Sequence, residues 1–144
     1  MSDHLKFYIN GEWVDSLGSE TIEVINPSDE SVIGSISAGT KEDIDAAVSA
    51  AKNAFKSFGF SSKKERIALL ENIITEYEKR TDELAKTISQ EMGATLWLSQ
   101  MAQVTSGLSH FQDTLAVLKE FEFEGTENNY LIRKEPIGAV SYTH

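Results

Sequence analysis

The residues able to carry acid–base, nucleophilic or metal chemistry are few in this sequence, and they stand apart. The three histidines, His4, His110 and His144, are not at metal-ligand spacing. His4 and His144 lie near the two ends, and His110, beside Phe111, reads as a structural residue of a long helix. There is no cysteine. That removes disulfides, thiolate metal sites and any thiolate nucleophile. Gly34, Gly39, Gly59, Gly93 and Gly107 are isolated, and no G-x-G-x-x-G phosphate loop occurs. Among the acids Glu91 is the most interesting. It precedes Met92-Gly93, a helix-end signal, where the helix dipole slightly disfavours a carboxylate. Trp13 and Trp97 read as packing residues.

The elements that must position these groups are bounded first by composition. At 144 residues the chain can hold one domain with a core. With 40% hydrophobic and 25% charged residues it is too apolar to be disordered. A net charge of −10 argues against a nucleic-acid groove, which needs clustered Lys and Arg. The densest basic run, Lys63-Lys64-Glu65-Arg66, is interrupted by Glu65 and reads as a solvated helix start. No apolar run reaches the roughly 18 residues of a membrane span. Met1 to Leu5 show neither a basic region nor an apolar core, so no secretory signal is read there. The expectation is a cytoplasmic protein with neither nucleic-acid nor membrane partners.

Along the chain, "KFYINGEWV" alternates around Asn10-Gly11, a pair suited to a tight hairpin. "TIEVINPS" and "SVIGSIS" are further strands around the turn Asn26-Pro27-Ser28-Asp29. A small antiparallel β layer is therefore predicted first. Helices follow. Thr40 caps a helix whose stripe is Ile44, Ala47, Val48, Ala51, Ala54, Phe55 and Phe58. Ser62 and Glu65 form a capping box ahead of Ile67, Leu70, Ile74 and Tyr77. A shorter helix spans 82–92, capped by Thr81 and ended by Gly93. The last helix is long, with Trp97, Met101, Val104, Leu108, Phe111, Leu115 and Leu118 stepping by four and three. Core packing beside the other helices explains this stripe better than a coiled coil does. "EFEFEGTENN" reads as an acidic turn region, and "YLIRKEPIG" as a returning strand. On its residues alone the chain is a globular α+β-type domain with no evident active site.

The pattern as a whole says more. "YINGEWV", "IEVINPSDESVIGSI", "IDAAVSAAKNAF", "ERIALLENI", "ELAKTISQEMGATL" and "RKEPIG" occur in the order and spacing of one family. From about Phe7 to Gly138 the chain resembles the amino-terminal part of the NAD(P)-dependent aldehyde dehydrogenase superfamily. The resemblance implies an incomplete α/β family fold: a small antiparallel β layer, three to four amphipathic helices and a C-terminal strand. Residues 1–138 would be the first part of a cofactor-binding domain, with an oligomerisation ribbon beginning near 129–138. The family's Pro-Trp-Asn motif, cofactor Lys, Gly-rich turn, base Glu and nucleophilic Cys all lie beyond these residues.

The implied chemistry needs a thiolate to add to the aldehyde, a dinucleotide to take hydride, and a base to activate water. No catalytic and no cofactor-binding residue is therefore assigned to this chain. NAD or NADP would serve the parent enzyme, a homodimer or homotetramer, and would not bind here. The resemblance also implies a monovalent-cation site through the Ile25 carbonyl and Glu91, and a substrate-facing side of the long helix at Gln103 and Gly107. "AVSYTH", residues 139–144, departs from the family's apolar strand. It is read as a non-family tail of frameshift or sequencing-adapter origin. The favoured expectation is an inactive amino-terminal portion of an aldehyde-oxidising enzyme. The alternatives are a stand-alone module that associates with full-length subunits, and a helical binding domain whose likeness is accidental.

Overall fold

The structure is a computed structural model and describes residues 3–142. Asn10 and Gly11 both take positive φ (55° and 85°), the two left-handed positions of a type I′ turn. They join β1 (Lys6–Ile9) to β2 (Glu12–Asp15) in antiparallel register, Phe7 opposite Val14. β3 (Thr21–Ile25) pairs antiparallel with β4 (Val32–Ser37), with a bulge between Val24 and Ile25. The connecting turn is held by side-chain acceptors. Asn26 Oδ1 takes the Ser28 amide at 3.0 Å, and Asp29 Oδ1 takes the Ser31 amide at 3.0 Å. The β layer is thus a pair of two-stranded ribbons rather than one sheet. Residues 3–5 lie along β4, where the His4 amide donates to the Ser35 carbonyl.

α1 (Lys41–Phe58) and α2 (Lys63–Glu78) both begin with reciprocal capping boxes. Thr40 pairs with Asp43, and Ser62 with Glu65, satisfying amides that a helix start leaves unpaired. α3 (Thr81–Met92) corrects one expectation. Thr81 is its first helical residue and not its cap; Arg80 holds the cap position without a side-chain bond. Its end is as expected: Gly93 has φ 70°. A Cβ there would also lie 2.9 Å from the Pro27 ring, so Gly93 is needed twice, for conformation and for packing on the Asn-Pro turn.

The long helix is α4 (Leu96–Leu98), a π-helical segment (Ser99–Val104) and α5 (Thr105–Glu120) in unbroken succession. The π segment is not legible in the stripe, and it breaks the stripe. Leu108, Phe111, Leu115 and Leu118 are half-buried and Val104 is buried, but Trp97 and Met101 are 68% and 64% exposed. Trp97 is therefore not a packing residue. Nor is Trp13, which lies exposed on the first hairpin with its ring 5.2 Å from that of Tyr8. The acidic stretch after α5 is also more ordered than expected. Glu124–Glu127 forms β5, paired with β6 (Tyr130–Arg133) across Asn128 and Asn129, both at positive φ.

α2 packs on α5, and α3 packs on the π segment. α1 is different: its apolar stripe, apart from half-buried Phe55, lies exposed. Every residue of β5 and β6 is exposed, and so are Ile137, Val140 and Tyr142 on the segment 134–142, which has no regular structure. Thr143 and His144 lie outside the described residues.

Candidate functional site

Among the described residues, two clefts bring polar groups of the helices together with those of the strands. The larger, of about 460 Å3, lies between the α1–α2 junction and the β5–β6 hairpin. It is lined by Lys63, Arg66, Arg133 and Lys134 among aromatic rings, a composition that suggests an anion site. The geometry decides otherwise, because each cation is engaged. Arg66 donates to Ser61 Oγ (3.0 Å) and to the Gly59 carbonyl (3.1 Å), and lies over the Phe123 ring at 5.5 Å. Arg133 pairs with Glu124 at 2.7 Å, Lys134 sits 4.7 Å over Phe121, and Lys63 lies 3.7 Å from Glu122. These contacts tie the hairpin to the helices. They are structural.

The smaller cleft, of about 110 Å3, lies where α3 meets the β3–β4 ribbon. Glu91, Thr87 and Gln90 from α3 face His4, Val24 and Gly34 across it. Glu91 is thus carried to the end of β3, and Gly93 packs on the Asn26–Pro27 turn. Ile25 is the next residue after Val24, just beyond the lining, opposite Val32. Among the described residues no group of three or more His, Cys, Asp or Glu could hold a metal ion. One carboxylate and one backbone carbonyl would suit only a hard cation that keeps most of its water.

The remaining candidates named from the sequence do not converge. His110 is exposed on α5, and its carbonyl accepts the Thr114 hydroxyl at 2.7 Å. Gln103 is exposed on the π segment. Gly107 does not face open space: a Cβ there would collide with the Tyr77 hydroxyl of α2. His144 lies outside the described residues. The buried Asp43 carries more than the first-turn acid that its sequence position suggests. Its carboxylate accepts the Thr40 amide (2.9 Å), the Leu17 amide (3.1 Å) and the Ser16 hydroxyl (2.9 Å). These bonds, the Thr40 amide foremost, hold it below the ordinary carboxylate value of 3.8. The Thr-x-x-Asp spacing is the signal that could have found it.

Comparison with known proteins gives the chain its place. The model of the aldehyde dehydrogenase family matches residues 13–143. A Staphylococcus aureus protein (strain bovine RF122 / ET3-1), provisionally named an aldehyde dehydrogenase, is 49% identical over 138 residues. That alignment covers 96% of this chain and 29% of the relative. Aldehyde dehydrogenase from Bartonella henselae superposes with a TM-score of 0.84 at 42% identity, over 87% of this chain and 26% of the other. A variant of aldehyde dehydrogenase C from Pseudomonas syringae, solved with NAD+ and octanal, gives 0.87 at 34% identity, over 92% and 27%. The chain belongs to the aldehyde dehydrogenase family. It matches the amino-terminal part of that fold and spans under a third of the length of these relatives.

Proposed function

We propose that this chain is the scaffolding first portion of an enzyme that oxidises an aldehyde to a carboxylic acid with NAD+ or NADP+, and that it is inactive by itself. The observation that carries the reading is chemical. The chain has no cysteine, so it can form no thiohemiacetal. The exposed apolar faces of α1 and the β5–β6 hairpin support a scaffold that other structure covers. The cofactor belongs to the parent enzyme, a homodimer or homotetramer in the cytoplasm. No helix among the described residues is long and apolar enough to cross a membrane, which fits that setting. The test is reduction of NAD+ or NADP+ by purified chain over a panel of aldehydes. No rate above a buffer blank is expected; turnover that rises with chain concentration and co-elutes with the chain would overturn the reading.

The Ile25 carbonyl and Glu91 would supply part of a monovalent-cation shell, the rest coming from elsewhere in the parent. The position of Glu91 at the end of β3 supports this. K+ or Na+ is then expected to leave the melting of this chain unchanged beyond its ionic-strength effect, since two ligands do not hold a hydrated cation. Saturable stabilisation by one cation, lost in Glu91→Gln, would show a full site within the chain.

The second reading, a non-enzymatic module that binds full-length subunits, is favoured by one observation: both strands of the β5–β6 hairpin are exposed throughout. Co-elution with a full-length relative in size-exclusion chromatography would favour it; separate elution would remove it.

A further inference from the structure

The long helix changes phase in the middle, and a contact from a neighbouring helix sits where it does so. From Val104 to Leu118 the half-buried and buried residues recur at α-helical steps. Continued backward at the same steps, that face would bury Met101 and Trp97. Instead both are exposed, and the fully buried residue is Ser99, five positions before Val104. In an α-helix, residues five apart point about 140° away from each other. The i→i+5 turn of a π-helix brings them onto one side, and Ser99–Val104 is π-helical. The wide turn therefore rotates an apolar pair outward and a serine inward. The serine gains nothing by it: its Oγ has no hydrogen-bond partner among the described residues.

What opposes reversion comes from hydroxyls. Tyr77, on α2, donates to the carbonyl of Val104, the last π residue, at 3.0 Å. Its hydroxyl fits there because residue 107 is glycine; a Cβ at 107 would overlap it. Thr105 donates at 3.2 Å to the carbonyl of Gln100, five residues back, the π spacing itself. We propose that Tyr77 and Gly107 form a register lock: the tyrosine hydroxyl, seated in the glycine notch, holds the wide turn and keeps Trp97 and Met101 turned outward. Without it the α phase runs through, Met101 and Trp97 swing toward the face that packs on α2 and α3, and Ser99 leaves the interior. Tyr77 is a positioning residue, acting through the helix on what its first turns present.

Trp97 reports the register directly. In the whole chain carrying Trp13→Phe, its emission and acrylamide quenching are read with far-UV circular dichroism, at a concentration where all variants sediment alike. Tyr77→Phe is expected to shift Trp97 emission to the blue and lower its quenching at unchanged helix content. Gly107→Ala, which evicts the hydroxyl, is expected to do the same. Tyr77→Phe with Gly107→Ala is expected to add no further shift, because the added methyl then meets no hydroxyl. Simple loss of packing would instead move Trp97 emission to the red, raise its quenching and reduce helix content. That outcome, or a Trp97 signal unchanged by Tyr77→Phe, overturns the proposal.

Discussion

At the residue scale, the polar side chains most tightly held in this chain serve its architecture. Asp43 closes the α1 capping box and at the same time accepts from Ser16 and Leu17, so one carboxylate joins the loop after β2 to the first helix. Its folded pKa is depressed by hydrogen bonds to the charged form, the Thr40 amide first. A depressed carboxylate contributes stability that is fully present above its unfolded value and is lost as pH falls through the lower folded value. Protection of the Leu17 and Thr40 amides from hydrogen exchange is therefore expected to hold at neutral pH and to decline as pH falls from the ordinary carboxylate value of 3.8 through the lower folded value. In Asp43→Asn the protection should be low throughout and independent of pH over that window. Equal pH dependence in both proteins would show that another group governs the loop.

At the element scale, much of the fold was legible because local chemistry dictates it. Asn10-Gly11 specifies a hairpin, Thr40 and Ser62 specify helix starts, and Gly93 a helix end, and each appears in place. Three features were not legible, for different reasons. The π segment depends on Tyr77 and Gly107, which lie on different helices, and a stripe read in steps of three and four has no way to register their contact. β5 is acidic and fully exposed, so no apolar alternation marks it; it forms because Asn128 and Asn129 accept positive φ and return the chain onto it. The cationic cleft is assembled from α2, the α1–α2 junction, the link after α5 and the hairpin, so no single run of the sequence marks it. The Ile25–Glu91 pairing, by contrast, rested on family likeness, and the structure supports only the approach of Glu91 to the end of β3. α1 carries the clearest consequence. Ile44 and Val48 are exposed on a helix that its capping box already starts well. Ile44→Lys with Val48→Lys is expected to lower light scattering from self-association while leaving helix content unchanged, as removal of an uncovered apolar patch should. A loss of helix content would mean that this face is packed in solution.

At the scale of the whole molecule, surface area is the informative quantity. The chain exposes 11122 Å2. A compact monomer of its mass, 16.0 kDa, is expected to expose about 7,400 Å2. The surplus is roughly half as much again, and it follows from the elements. The α1 stripe is uncovered, the hairpins stand apart, and the buried apolar residues among those described are Ala85 and Val104. A core this small does not support the net stability usual for a domain. As the amino-terminal part of the aldehyde dehydrogenase fold, the chain exposes apolar faces, and the proposed scaffold role makes its stability depend on other structure covering them. Equilibrium denaturation followed by far-UV circular dichroism and tryptophan emission, together with sedimentation, puts that dependence to the test. Self-association is expected, or a broad transition in which the two probes do not coincide, the same whether or not residues 139–144 are present. One sharp transition of a monomer, with both probes coincident, would contradict it.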